Sequence, residues 1–169
     1  FVILTGGIDL SVGSVMAFTG TIMVGLMINN GMPAIAAVLI GIILGALLGY
    51  INGLFISRAR IPAIIVTLAM MEVARGLALL YTGGYPLSGV SKSFTFIGRG
   101  YLFGVIPMPA VIMILVFIIA YIILNHLPIG RYIYAIGGNE EAVRLSGVKV
   151  KRIKTFVYLI SGITASISG

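Results

Sequence analysis

Long apolar runs without a charged residue dominate the hydropathy pattern of this chain. Residues 10–57 contain no Asp, Glu, Lys or Arg, and residues 100–130 contain none either. An α-helix needs about 20 predominantly apolar residues to cross a bilayer. The pattern therefore predicts membrane-spanning helices over residues 12–28, 33–56, 61–81 and 110–127, and a fifth span, cut off in this sequence, that starts at residue 155.

Polar segments separate these predicted spans. Residues 5–11, Thr-Gly-Gly-Ile-Asp-Leu-Ser, form a break after an apolar N-terminal stretch. Two glycines stop a helix there, and the side chain of Asp9 or Ser11 is expected to cap the first span. Residues 82–109 are interpreted as a longer mixed connection, and residues 128–154 as the one clearly hydrophilic region.

The composition indicates that these apolar segments belong to an integral membrane protein. Only 9% of the 169 residues are charged and 60% are hydrophobic, whereas soluble domains carry about 25% charged residues. This excludes soluble, disordered and collagen-like classes. The net charge of +7 does not favour nucleic acid, because the charges lie in short clusters. We expect an all-α, polytopic transmembrane helix bundle, part of a single domain of a longer protein and truncated at both ends.

The distribution of Lys and Arg predicts the orientation. The connections at 57–60 and 128–154 fall on one side and carry eight basic residues, whereas those at 29–32 and 82–109 carry two, Lys92 and Arg99. Basic residues accumulate on the cytoplasmic side of membrane proteins. We therefore expect the 57–60 and 128–154 connections to be cytoplasmic.

Glycines recur every fourth residue in the second predicted span. Gly41, Gly45, Gly49 and Gly53 lie nearly above one another on a helix. They form a groove without side chains that another helix can approach closely. We favour tight helix packing over a general enrichment of glycine in membrane helices.

Charged groups at membrane depth are costly and usually face a partner or a wet cavity. Glu72 and Arg75 share a face of the third span and can pair. The pair either lines a translocation path or is a structural ion pair, and we favour the structural role. Asp9 either lines a break within the membrane or caps the first span at the surface.

The chain lacks the residues of several catalytic classes. It has no Cys and one His, His126, so neither a metal site nor hydrolase chemistry is expected. It also has no G-x-x-x-x-G-K-[ST] motif, so it cannot supply a P-loop for ATP. We expect no enzyme activity, metal or cofactor on this chain.

The hydrophilic region contains a predicted short helix. Asn139 is a good N-cap, Glu140 and Glu141 suit the first turn, and Gly147 suits the C-terminal stop. Ala142 and Leu145, with neighbouring Val143, offer a small apolar face. We interpret this short helix, residues 139–147, as a docking surface for another protein, and the alternative is an ordinary helix lying on the bilayer; the resemblance given below favours docking and extends it to residues 137–147, called here the docking segment. Basic residues 149–154 are expected to meet anionic lipid head groups.

Several motifs together resemble the permeases of bacterial ABC sugar importers of the ribose-permease type. They are Thr-Gly-Gly-Ile-Asp-Leu-Ser-Val-Gly-Ser at 5–14, Asn-Gly-Leu-Phe-Ile at 52–56, Thr-Leu-Ala-Met at 67–70 with Arg-Gly-Leu at 75–77, and Tyr-Ala-Ile-Gly-Gly-Asn at 134–139 followed by 145–152. The resemblance covers essentially the whole chain. Glu141, Ala142 and Gly147 also match the wider E-A-A-x-x-x-G permease signature, which Val143 departs from.

The resemblance implies a multi-pass permease of the bacterial inner membrane that imports ribose or a similar monosaccharide. Its implied partners are two cytoplasmic ATPase subunits that bind ATP and Mg²⁺, a second permease copy or related chain, and a periplasmic or lipid-anchored sugar-binding protein. The cytoplasmic coupling loop would be residues 128–154. The implied contacts with the ATPase come from Gly137, Gly138, Asn139, Glu140, Glu141, Ala142, Leu145, Ser146 and Gly147.

Two points stay open on the sequence alone. An ion-coupled secondary carrier of a small polar solute is the alternative function, because such carriers place ionisable residues and broken helices at mid-membrane. The sugar is not specified either. Candidate residues of the translocation path are Asp9, Asn52, Thr67, Glu72 and Arg75, with Ser11 as a further hydroxyl partner.

Overall fold

Apolar helices make up most of the structure. The computed structural model describes residues 1–87, 89–90 and 92–169, with only the backbone described at positions 92 and 93. The side chain of Lys92, counted above for the 82–109 connection, therefore lies outside the described residues.

Seven α-helices follow a short N-terminal 3-10 turn, Ile3–Thr5, in the described part of the chain. Their bounds are α1 Val12–Asn30, α2 Ala34–Arg58, α3 Ala63–Thr82, α4 Lys92–Arg99, α5 Met108–Asn125, α6 Pro128–Leu145 and α7 Val150–Ser168. An antiparallel hairpin of two-residue strands, β1 Tyr101–Leu102 and β2 Ile106–Pro107, lies between α4 and α5.

The helices α1, α2, α3 and α5 are long and apolar enough to cross a membrane. They confirm the four complete spans that the hydropathy pattern predicts, and with them the polytopic helical fold. Helix α1 ends at Gly31, whose φ of +63° is a left-handed conformation that residues other than glycine rarely adopt. Pro33 and Pro62 precede α2 and α3 as N-cap residues, where a missing N–H leaves no helical hydrogen bond unmade.

Helix α7 begins at Val150, so the prediction of a start at residue 155 is wrong. The basic side chains of Lys151 and Arg152 are exposed, while Ile153 and Val157 pack into the core. The charges therefore lie on one face of the first turns and do not prevent a helix. With these basic residues, α7 is not one of the four helices that meet the length and hydropathy of a membrane span.

Two polar regions contain more structure than the sequence predicts. The 82–109 connection holds α4 and the hairpin, which were not predicted. The 128–154 region holds one long helix, α6, which changes direction at Asn139, where φ is −156° and ψ is 96°. The predicted short helix is thus the second part of α6, and the helix that precedes it from Pro128 onward was missed.

Helices α2 and α7 share the most extensive contact in the bundle, and α1 packs against α2, α3 and α7. Helix α5 has no buried residue and packs against α4 and α6 near its ends. The apolar surface of α5 is therefore left for lipid or for another helix.

The predicted sidedness of the connections agrees with the arrangement of the helices. The 57–60 connection and residues 140–154 line the same cleft, together with Thr5, Gly6 and Gly7. We call this end of the bundle the basic end. The 82–109 connection, which leads from α3 to α5, follows the opposite end of α3.

Candidate functional site

The break between the N-terminal turn and α1 carries a network of side-chain hydrogen bonds. The Ser11 N–H and hydroxyl donate to Asp9 Oδ1 at 3.0 and 2.6 Å. The Ser161 hydroxyl of α7 donates to Asp9 Oδ2 at 2.7 Å. Asn52 Nδ2 of α2 donates to Ser11 Oγ at 3.0 Å. This polar network, Asp9, Ser11, Asn52 and Ser161, joins the break to two helices.

The expectation that Asp9 or Ser11 caps α1 holds for Asp9 and is wrong for Ser11. Asp9 Oδ1 accepts the N–H of Ser11, the N-cap residue, which has no partner within the helix. The Ser11 side chain makes no capping hydrogen bond, because its hydroxyl donates to Asp9 and accepts from Asn52. The side chains of the break therefore hold the break to its neighbours, and Asp9 also satisfies an N–H at the end of α1.

The network lies inside the bundle rather than at its surface. Ser11 and Asn52 are each 1% exposed. Asn52 is six residues from the last residue of α2, which places it about 9 Å along the helix from that end. Irregular backbone at such depth occurs where protein buries it or where it lines a cavity. The break is therefore an irregular segment that the bundle partly buries, with Asp9 and Ser161 partly exposed.

Two buried polar atoms near the break have no hydrogen-bond partner among the described residues. They are Asn52 Oδ1 and the hydroxyl of Tyr158. Tyr158 lies against the break, because a Cβ added to Gly7 would come 2.5 Å from its hydroxyl oxygen. Most buried polar groups in proteins are paired, so these two atoms have room for a further hydrogen-bond partner such as water or a polar solute.

Thr67 lies next to the break but outside the network. Its hydroxyl, fully buried, donates to the Ala63 carbonyl of its own helix at 2.8 Å and lies 3.5 Å from the Ile8 carbonyl. Of the five candidate path residues, the structure thus places Asp9, Asn52 and Thr67 together around the break.

Glu72 and Arg75 do not form the predicted ion pair. Both are exposed, and neither has an oppositely charged partner within 4 Å in the described ranges. Their face of α3 points away from the bundle, while Met70 and Ala74 pack inward. The two side chains extend from the free face of the helix and are separate from the network around Asp9.

Ser161 and Tyr158 are the site residues that sequence reasoning missed. Both belong to α7 and meet a segment about 150 positions earlier in the chain. No local motif marks either residue.

The four glycines of α2 face other helices at close range. Gly45, Gly49 and Gly53 lie against α7, at Gly162, Tyr158 and Thr155 respectively, and Gly41 lies against the Met23 side chain of α1. At Gly49 and Gly53 the nearest atoms belong to the backbone of α7. A Cβ at these positions would overlap that backbone, so α2 and α7 touch main chain to main chain.

The docking segment begins with a formed N-cap. Asn139 Oδ1 accepts the N–H of Ala142 at 3.0 Å, and Gly147 follows the helix with a φ of +81°. Ser146 donates its hydroxyl to the Ala142 carbonyl at 2.9 Å. Before the cap, Gly137 lies so close to the Leu4 carbonyl that a Cβ would overlap it, whereas Gly138 faces open space.

The predicted apolar face of this segment is divided. Leu145 is 78% exposed and Ala142 is exposed. Val143 packs inward against the core cluster at the basic end. One side of the segment is therefore anchored to the bundle, and the other presents Leu145 to solvent.

Both acidic residues of the segment are paired. Glu141 accepts from Arg144 one turn later, and its hydrogen bond and charge raise the pKa of that guanidinium. Glu140 Oε2 accepts from Lys154 Nζ at 2.6 Å. The second bond ties the segment to α7.

A cleft of about 1200 Å³ opens at the basic end beside the docking segment. Five of its lining cations have no acidic partner within 4 Å in the described residues: Arg58, Arg60, Lys149, Lys151 and Arg152. The described residues contain no group of three or more His, Cys, Asp or Glu that could hold a metal ion. The surface at this end is thus strongly cationic.

The model of one known protein family matches the whole chain. It is described as the permease component of a branched-chain amino acid transport system, and the match covers residues 1–169. No solved structure matches the chain.

Several curated proteins are similar along nearly all of the chain. The ribose import permease protein RbsC of Bacillus subtilis is 46% identical over 171 residues, which cover 100% of this chain and 52% of that protein. RbsC of Escherichia coli K12 is 45% identical, with 99% and 53% covered. The fructose import permease protein FrcC of Rhizobium meliloti is 35% identical, with 99% and 49% covered. The chain spans about half the length of the curated relatives it matches.

Proposed function

Because the chain belongs to the branched-chain amino acid transport system permease family, we propose that it forms part of the permease subunit of an ATP-driven ABC importer. The importer carries ribose or a similar monosaccharide across the bacterial plasma membrane. The observation that carries the proposal is the 45–46% identity to ribose import permeases along the whole chain. The apolar helices and the partly buried polar break support it.

In this proposal the chain performs no covalent chemistry. ATP and Mg²⁺ bind to separate cytoplasmic subunits, and the permease converts their movement into alternating access. A second permease copy or a related chain completes the membrane part, and a periplasmic or lipid-anchored protein delivers the sugar. The cationic surface at the basic end suits anionic lipid head groups around the cytoplasmic ends of the helices.

The docking segment is the proposed contact with the ATPase. Its capped helix stands at the basic end, is held to the bundle through Val143 and Lys154, and exposes Leu145. An exposed apolar residue on a fixed short helix suits insertion into a groove of a partner protein.

The polar network is the proposed part of the translocation path. A monosaccharide needs several hydrogen-bond partners once it leaves water. Asp9 and Asn52 supply a carboxylate and an amide, the Asn52 oxygen is unpaired among the described residues, and Thr67 lies beside them. Glu72 and Arg75 are proposed only for a path between two permease copies, because they lie on the free face of α3.

Leu145→Asp in the full-length permease tests the docking segment. A charge at the centre of an apolar contact should abolish co-purification with the ATPase and sugar uptake in proteoliposomes. Leu127→Asp is the matched control, since Leu127 is also exposed near the basic end but lies outside the segment. Assembly and uptake that survive Leu145→Asp would refute this docking contact.

The ion-coupled carrier is not favoured. Its evidence was an ionisable residue beside a broken helix together with a charged pair in α3. The first feature is present, but the pair is not formed, and both the family and the similar proteins are components of transport systems or import permeases.

A further inference from the structure

Lys154 connects the docking segment to α7 through an ion pair with Glu140. The side chains of Lys154 and Glu140 are 19% and 50% exposed, and Nζ lies 2.6 Å from Oε2. Lys151, one turn earlier, is exposed and has no ion pair among the described residues. Lys154 therefore has a defined partner in the docking segment, whereas Lys151 has none.

Ser161 connects the same helix to the break. Its hydroxyl donates to Asp9 Oδ2 at 2.7 Å. Lys154 and Ser161 are seven residues apart, so they lie on one face of α7, two turns or about 10 Å from each other. One stripe of α7 thus holds the docking segment at one end and the break at the other.

The adjoining stripe of α7 packs without intervening side chains. Thr155, Tyr158 and Gly162 lie directly against the glycines of α2. Thr155 also shares a hydrogen bond of 2.9 Å with Ser57. A backbone-to-backbone contact has little side-chain volume to deform, and close-packed interiors transmit strain. A displacement at Lys154 is therefore expected to move α7 as a unit.

We infer that Lys154 and Ser161 are positioning residues through which α7 carries movement of the docking segment to the polar break. The inference rests on the proposed function, and it adds the route between the ATPase contact and the translocation path. When the ATPase shifts the docking segment, Glu140 pulls on Lys154, and Ser161 displaces Asp9 within its network. The hydrogen bonds around the break then rearrange together with the access state.

A label in the break provides a direct readout. The chain has no cysteine, so Leu10→Cys, at a position 43% exposed, gives a single site for a spin label in this part of the permease. The full-length protein, with any cysteine outside this chain replaced, is assembled with its ATPase in proteoliposomes. Label mobility is recorded without nucleotide and with ATP plus vanadate. A nucleotide-dependent change is expected.

Substitutions at the ion pair should remove that change. Lys154→Met and Glu140→Gln should each abolish the response of the label and lower the sugar imported per ATP hydrolysed by roughly tenfold, within the usual range of couplings between sites. Lys151→Met should respond like the unsubstituted protein. Exchanging the charges, Glu140→Lys with Lys154→Glu, should restore the response.

Ser161→Ala tests the other end of the route. It should leave ATPase binding intact and reduce the label response. Ser168→Ala should not reduce the response, because Ser168 is exposed and, among the described residues, its hydroxyl bonds only to its own helix. The charge exchange and the serine variants keep the test valid should Lys154→Met fail to fold.

Several results would overturn the route. They are an unchanged label response in Lys154→Met, a charge exchange that still binds the ATPase but restores nothing, and a Lys154→Met permease that no longer binds the ATPase, since the ion pair would then serve assembly alone. No label response in an unsubstituted permease that transports sugar would overturn it as well. Failure of the unsubstituted permease to bind an ATPase or to need ATP would instead refute the proposed function.

Discussion

Asp9 is the residue on which the polar contacts of the bundle converge. Its two carboxylate oxygens accept three hydrogen bonds, two from Ser11 and one from Ser161. A carboxylate removed from bulk water is stable only with such donors. Glu72 has the same chemistry on the exposed face of α3 and no such donors among the described residues. Position relative to the break, and not residue type, separates the two acids.

Asp9→Ala should destabilise the full-length permease by about 1–3 kcal/mol, because the hydroxyls of Ser11 and Ser161 lose their acceptor inside the protein. Glu72→Ala should change stability by less than about 0.5 kcal/mol, as for a surface substitution. Thermal unfolding of the two purified variants in detergent compares them. An equal loss of stability in both variants would mean that the hydrogen bonds to Asp9 do not stabilise the bundle.

Only part of this site could be predicted from single residues. Asp9 stands out because a charge beside two glycines interrupts an apolar stretch, and Asn52 because it is polar within a long uncharged run. Ser161 gives no such signal, since serine is unremarkable in a membrane helix. Its role depends on α7 folding back onto the break, which is a long-range contact that no local pattern encodes.

The contact between α2 and α7 is the main packing feature at the scale of elements. Its glycine spacing is visible in the sequence, but the partner helix is not, because α7 offers only Gly162 in a corresponding position. Without side chains in the groove, the two helices approach closely enough for their main chains to touch. The stability of this helix pair therefore depends on Gly49 and Gly53, because one added methyl group at either position would overlap the backbone of α7.

Gly49→Ala should destabilise the bundle by about 1–3 kcal/mol through overpacking, since the added Cβ would overlap the Tyr158 carbonyl. Gly76→Ala in α3 is the control, because a Cβ at that position meets nothing within 4 Å. There the loss of a helical glycine is expected to be neutral or stabilising. Matching melting temperatures for the two variants would argue against a close helix contact at Gly49.

The N-cap of the docking segment is open to a conservative comparison. Asn139→Ala removes the acceptor for the Ala142 N–H and should cost the helix about 1 kcal/mol, while Asn139→Asp should retain the cap. Faster amide exchange over residues 140–146 and weaker ATPase binding are expected for the alanine variant alone. Equal exchange in both variants would show that Asn139 does not cap this helix.

At the scale of elements, the length of an apolar run predicts a helix well, whereas polarity does not predict its absence. The uncharged runs predict α1, α2, α3 and α5 because a bilayer imposes a minimum length. The polar stretches at 82–109 and 128–154 hide α4, the hairpin and the first part of α6, since polar residues also form surface helices. The start of α7 was misplaced because its basic residues occupy only one face of the first turns.

At the scale of the whole molecule, the charges lie mainly at one end. The cleft at that end carries the 57–60 connection, the docking segment and the start of α7. The polar network lies inside the bundle, between that end and the far ends of the spans. The same cleft also reaches the break, because Gly6, Gly7 and Tyr158 line it, so the proposed partner surface and the proposed solute path adjoin.

The energy source for uptake tests the central claim most directly. The full-length permease is reconstituted in proteoliposomes with its ATPase and sugar-binding protein, and uptake of labelled ribose is measured with ATP or with an imposed proton or sodium gradient. The account predicts uptake that requires ATP and is unaffected when ionophores collapse both gradients. Uptake that persists without ATP and disappears with a gradient would contradict it.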